Sequence, residues 1–428
     1  MNTGETDEHT IFARRESNAR SYCRSFPAMF VQALGATLTD GEGRRYIDFL
    51  AGCSSLNYGH NDPDMKRALG EHLASDGVAM GLDLHTPAKE AFLESFERLI
   101  LSPRGMDHRV MFTGPTGANA VEAALKIARK ATGRTNVIAF TNGFHGVTAG
   151  ALAATANGYH RGGASVPLSH VTRMPYAGSA GSVDTADLLA TMLANPSSGI
   201  DRPAAVLVET VQGEGGLNVA SAEWLRRIAG IARDHGALLI IDDIQAGCGR
   251  TGSFFSFDGM GIDADLVTMA KSLSGFGLPM AVVLVKPAYD VFGPAEHNGT
   301  FRGNNHAFVT AGVALEKFWA NGAFKERIAE RAEQLRGRLS AIAAQVPGAS
   351  VKGRGMMLGV DLGSGDVAAD ICATCFEKGL VIETSGAFDE VVKVLAPLTI
   401  DAETFGRGLD ILEAAVIEHA GANRQAAE

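Results

Sequence analysis

Ala237-Leu238-Leu239-Ile240-Ile241-Asp242-Asp243 is an apolar run that ends on two carboxylates. A second run, Asp265-Leu266-Val267-Thr268-Met269-Ala270, delivers Lys271, 29 residues after Asp242. Both runs are short, continuous and flanked by turn residues, the pattern of parallel strands buried on both faces. Open α/β sheets bind ligands at the carboxyl ends of their strands. The expectation is therefore a carboxylate and an amine brought to one crevice.

Outward from these runs, strands and helices alternate between residues 71 and 320. Strands are predicted over 110–113, 136–140, 204–209 and 237–241, and helices over 119–131, 184–194 and 222–234. Such alternation implies βαβ units and a mostly parallel sheet. Residues 1–70 read as a mixed segment with a hairpin, its strands over 36–41 and 45–49 turning near Gly41-Glu42-Gly43. After residue 321 the pattern changes. A long Arg-, Glu- and Ala-rich helix over 324–345 leads to short strands near 356–362, 380–382 and 391–394 and a final helix over 402–417, with 423–428 read as a loose tail. The expected organisation is a large domain over 71–320 and a small α+β domain over 321–428, which the 1–70 segment joins.

Composition excludes several classes. With 428 residues, 46% of them hydrophobic and 20% charged, the chain can bury a large core. Its net charge of −10 argues against nucleic acid or an anionic membrane as partner. No run approaches the roughly 18 apolar residues of a membrane span. The polar, acidic start over residues 1–16 has no apolar signal stretch, so a cytoplasmic location is expected. Five scattered cysteines do not form a disulfide framework, and Cys372-x-x-Cys375 without a second pair reads as part of a helix rather than a metal site.

Three further stretches carry chemistry. Thr113-Gly114-Pro115-Thr116-Gly117-Ala118-Asn119 lies between a strand and a helix. Free N–H groups at such a helix start cradle a phosphate, although an ordinary βα turn looks the same. Phe144-His145-Gly146 follows a strand exit, where an aromatic can stack on a flat heterocycle or simply pack a loop. Gly247-Cys248-Gly249-Arg250-Thr251-Gly252 matches GxGxxG, but Ser253-Phe254-Phe255 does not open the helix that a dinucleotide fingerprint requires. Close approach of backbone at a crowded site accounts better for these glycines. Lysine, acid, phosphate turn and aromatic together are what pyridoxal phosphate (PLP) needs: an amine for its aldehyde and a carboxylate for its ring nitrogen. A catalytically silent binding protein and a nicotinamide-dependent oxidoreductase remain alternatives.

The ordered segments GPTGANAVEAALKIAR, NGFHGVT, ETVQGEGG, IIDDIQAGCGRTG, TMAKSLSGFGLP and NGTFRGNN resemble the class III (ω-amino) aminotransferases of PLP fold type I, over about residues 27–416. LNYGHN and LVIETSG extend the likeness to the diaminobutyrate aminotransferases of ectoine and siderophore biosynthesis. The resemblance implies a mostly parallel central sheet with helices on both faces, plus a smaller α+β domain. It implies a homodimer that moves the terminal amine of a diamino acid, L-2,4-diaminobutyrate above all, to 2-oxoglutarate. It also implies residue roles. Lys271 matches the lysine that carries PLP, Asp242 the partner of the ring nitrogen, Gln245 the glutamine near its phenolic oxygen, and Phe144, with His145 beside it, the stacked aromatic. Gly117 and Ala118 match the phosphate turn, and Thr300 the threonine that reaches the neighbouring subunit's phosphate. Glu209, Glu214 and Lys393 fall on the substrate side, with Glu214 and Lys393 as a switchable ion pair. Four departures stand out: Ala118 for Ser or Thr, Lys393 for a carboxylate-gripping arginine, Val147 for an arginine of ornithine-type relatives, and Leu84-His85 where aromatics are expected. Another ω-amino acid or amine as donor, or an aminomutase, decarboxylase or racemase on the same fold, remains open here.

Overall fold

The computed structural model describes residues 10–427, with side chains described to residue 419. Three short strands open the chain: β1 (Phe30–Leu34), β2 (Thr37–Asp40) and β3 (Arg45–Asp48). β2 and β3 pair antiparallel, the expected hairpin, and β1 adds an antiparallel edge strand that the sequence reading did not include.

The central sheet follows with β4 (Arg109–Gly114), β5 (Val137–Phe140), β6 (Val171–Met174) and β7 (Ala205–Val208). A two-residue hairpin, β8 (Val211–Gln212) and β9 (Asn218–Val219), leads to β10 (Leu238–Asp242), β11 (Leu266–Met269) and β12 (Ala281–Val285). The seven strands run in the order β4-β12-β11-β10-β7-β5-β6. Only β12 is reversed, pairing antiparallel with both β11 and β4. The continuous apolar runs have a direct cause: alternate side chains enter two separate cores. Ile138, Val206, Leu239, Ile241 and Val267 pack on one face, while Val137, Ala205, Leu207, Leu238, Ile240 and Leu266 pack on the other.

The last part holds β13 (Ser350–Arg354), β14 (Met357–Asp361), β15 (Leu380–Val381), β16 (Glu383–Ser385) and β17 (Val391–Val394). β13, β14, β17 and β16 form an antiparallel sheet, whereas β15 pairs parallel with β3 and ties the N-terminal hairpin to this region. Ile47 and Phe49 accordingly share one core with Leu358, Val392, Val394, Phe405 and Leu409. Cys372 and Cys375 lie on the helix Gly365–Glu377, as expected. The final helix runs Ala402–Ala427, past the expected end near 417 and through most of the expected loose tail; no proline stops it.

The GxGxxG stretch opens no helix. A Cβ on Gly247 would sit 2.6 Å from the Asp243 carbonyl oxygen, and Gly249, at φ +91°, would meet Leu398 at 2.9 Å. Directly after them the buried Arg250 donates to Ser54 Oγ, Asn57 Oδ1 and the carbonyls of Met356 and Ala396, joining three distant segments.

Candidate active site

Asp242 ends β10 at the carboxyl edge of the sheet, where side chains leave the core. Its Oδ2 lies 2.6 Å from Nδ1 of the buried His145, and its Oδ1 accepts from Thr268 Oγ1 and the Ile244 N–H, each at 3.2 Å. Burial alone would lower the His145 pKa, but the hydrogen bond and charge of Asp242 outweigh it and raise the value. The imidazole thus stands directly behind the carboxylate as its hydrogen-bond partner. His145 and Asp242 are 97 residues apart in sequence, and no local pattern announces the pair.

Lys271 follows β11 directly and begins a single 3₁₀ turn, Lys271–Ser274. Its φ of +52° is a left-handed conformation that a non-glycine residue adopts only under constraint. Its Nζ donates to the Cys53 carbonyl at 2.9 Å.

The helix Gly117–Thr132 starts after β4, with Thr116 and Asn119 closing its N-terminus as a capping box. A Cβ at Gly117 would lie 2.9 Å from Ile244 Cδ1, so the isoleucine side chain would have to shift to admit one. Gly146 is required: at φ +120° its Cβ would sit 2.7 Å from that of Ala118. The first-turn N–H groups have no intrahelical partner and carry the positive end of the helix dipole.

Glu209 follows β7 and accepts from the Phe144 N–H at 3.1 Å. Burial pushes its carboxyl up to about 8, with Asp242 adding to the rise and His145 opposing it. Glu214 lies in the turn between β8 and β9. Its Oε1 accepts from Gln245 Nε2 at 2.7 Å and from Lys393 Nζ at 3.1 Å. Burial would raise the Glu214 pKa, but Lys393 and then Lys271 bring it below the ordinary value.

These residues surround a cavity of about 400 Å³. Nine of the eleven expected site residues line it: Gly117, Ala118, Phe144, His145, Glu209, Glu214, Asp242, Gln245 and Lys271. Two do not. Thr300 is exposed at the start of a surface turn, Thr300–Gly303. Lys393 is fully buried behind Glu214 and is also paired with Glu383 at 3.0 Å. Glu383, Thr268 and the Cys53 carbonyl are the site groups that the sequence reading missed. The cavity fits PLP: its size is that of a small-ligand pocket, with an anion-binding helix start, an aromatic, a carboxylate backed by an imidazole and an amine all on its wall.

The family model for class-III aminotransferases matches residues 19–416. A diaminobutyrate–2-oxoglutarate transaminase of Vibrio cholerae is 56% identical over 410 residues, covering 95% of this chain and 100% of that protein. The enzyme of the same name from Halomonas elongata is 54% identical over 409 residues, covering 94% and 97%. Among solved structures, ornithine aminotransferase from Toxoplasma gondii, with PLP partly occupying its active site, superposes with a TM-score of 0.83 at 26% identity, covering 97% of this chain and 94% of that one.

Proposed function

The chain belongs to the class-III aminotransferases, and from that premise we propose that it transfers the terminal amino group of L-2,4-diaminobutyrate to 2-oxoglutarate, giving L-aspartate 4-semialdehyde and L-glutamate. The relatives above support this donor and acceptor. PLP is the cofactor, and the observation that carries the chemistry is one cavity walled by Lys271, the Asp242–His145 pair and the start of helix Gly117–Thr132.

When bound, PLP supplies an aldehyde that takes up the amine and a ring that draws electrons from the adjacent carbon. Asp242, in contact with His145, would pair with the ring nitrogen. The Gly117 and Ala118 N–H groups would hold the phosphate, and Phe144 would pack against the ring. Lys271 would take the proton from the donor's terminal carbon and return it to the carbon on the other side of the transferred nitrogen, first as base and then as acid. Glu214 shields Lys393 while the donor is bound and swings aside so that the lysine meets a carboxylate of 2-oxoglutarate. A lysine does so as a point charge, without the bidentate grip of arginine.

The reading also includes a homodimer in the cytoplasm, in which Thr300 completes the partner's phosphate site. The exposure of Thr300 away from its own cavity supports the dimer. Among the described residues no helix is long and apolar enough to cross a membrane. The domain division at about residues 70 and 320 is supported by separate cores, with Ile47 and Phe49 packed among residues beyond 320.

The test is spectroscopic. PLP-loaded protein mixed with L-2,4-diaminobutyrate should lose its long-wavelength cofactor absorbance and regain it on adding 2-oxoglutarate, and Lys271→Ala should do neither. Bleaching by other ω-amines but not by diaminobutyrate would refute the donor.

A further inference from the structure

Lys393 is flanked by two carboxylates, and only one of them faces the cavity. In the register of β16 and β17, Glu383 stands directly opposite Lys393, so the pair is a cross-strand ion pair at 3.0 Å. Glu214 approaches the same Nζ from the β8–β9 turn at 3.1 Å. The Lys393 side chain is fully buried, and that of Glu383 is 12% exposed. Glu383 Oε1 is buried, and its contact with Lys393 Nζ is an ion pair. The other oxygen, Oε2, accepts from Tyr22 Oη at 3.3 Å.

The cluster therefore sets two carboxyl groups against one ammonium in a largely enclosed place. An uncompensated buried charge is costly, and it draws in an opposite charge. The same imbalance raises the Glu383 pKa, burial first, with Glu214 adding to the rise against the pull of Lys393. Lys271 is the next cation that both carboxylates sense, but its amine is committed to the reaction. Lys271 and Gln245 share the Cys53 carbonyl, and Gln245 bonds Glu214, so the reacting amine and the acidic cluster are linked by a short chain of hydrogen bonds.

Resting on the proposed donor class, we infer that Glu383 is a specificity-determining residue, which with Glu214 sets a net negative charge that selects donors carrying an α-ammonium at the end remote from the reacting amine. In a 2,4-diamino acid three carbons separate the α-ammonium from the reacting amine, and Glu214 lines the same cavity as Lys271. 4-Aminobutyrate has the same carbon chain and carboxylate without that ammonium, so it isolates the charge being read. Glu383 binds nothing on the cofactor. Its effect is a matter of which donor is preferred.

The experiment is single-turnover conversion of the PLP-loaded enzyme by L-2,4-diaminobutyrate and by 4-aminobutyrate, in wild type, Glu383→Gln and Glu383→Asp. The readout is the ratio of second-order rate constants, diaminobutyrate over 4-aminobutyrate. In wild type this ratio is expected to exceed about ten, one decade being about 1.4 kcal/mol of discrimination. Glu383→Gln should lower it about tenfold, while Glu383→Asp, which keeps the charge, should hold it near the wild-type value. If 4-aminobutyrate reacts too slowly to time, its inhibition constant against diaminobutyrate supplies the same comparison. A wild-type ratio near one overturns the inference whether or not the variants fold, as does a Gln variant that slows both donors equally. A wild type that does not react with diaminobutyrate, yet bleaches with other ω-amines, overturns the donor assignment as well.

Discussion

Glu209→Gln isolates one proton. Glu209 is 8% exposed, beside Asp242 and His145, and its carboxyl is displaced from the ordinary 4.5 to about 8, chiefly by burial. At neutral pH the folded protein therefore holds a proton here that the unfolded chain gives up. A folded-state pKa raised above the unfolded value adds stability that is complete below about 4.5 and is lost as pH rises through about 8. At about 1.4 kcal/mol per unit, the displacement amounts to about 5 kcal/mol across that window. Glutamine imitates the protonated acid and can still accept from the Phe144 N–H. The variant should match wild type below about pH 4.5 and become progressively the more stable of the two as pH rises towards about 8. The assay is proton release on unfolding of the cofactor-free protein in guanidinium, followed in a pH-stat near pH 6. Wild type should release about one proton more than Glu209→Gln. Equal release would refute the reasoning, because it would mean that Glu209 is already ionised in the folded state.

Ala118→Ser restores a hydroxyl at the start of helix Gly117–Thr132 and should tighten PLP by about tenfold or more, read by equilibrium dialysis, since a hydrogen bond to a charged group contributes about 1.5 kcal/mol or more. Arg250→Leu leaves the carbonyls of Met356 and Ala396 without this donor, while Asn57 Oδ1 keeps only Ser54 Oγ, and should cost about 3 kcal/mol in chemical unfolding. Lys393→Met strands the Glu214 and Glu383 carboxylates beside each other. It should cost about 3 to 5 kcal/mol at pH 8, and the deficit should shrink as pH falls and one carboxyl takes a proton. A deficit independent of pH would mean that the two acids do not interact.

Much of the site was legible because its signals are local. The run ending at Asp242 and the run ending at Lys271 are continuous in sequence, and a strand buried on both faces needs no other information to be recognised. The phosphate turn is equally local: glycines between β4 and the next helix can be read where they stand. Strand β12 was not included in the sequence reading, and its reversal was not legible either, because Ala281–Val285 is as uniformly apolar as its parallel neighbours and periodicity carries no direction. The extra turns of the last helix escaped for a similar reason, since no residue near 417 marks a stop.

The amino-acid order alone determined which residues end the strands, where a helix offers its free N–H groups, and that an acid, an amine and an aromatic recur in the pattern of one family. Tertiary structure decided the partners. His145 meets Asp242 across 97 residues, the Cys53 carbonyl meets Lys271 across 218, and Glu214 meets Lys393 across 179. These contacts exist only once the strands take their order in the sheet and β16 settles its register against β17, where a slip of one residue would turn Glu383 to the opposite face. Local sequence encodes local geometry, whereas a buried charge finds its counter-charge through packing of the whole chain.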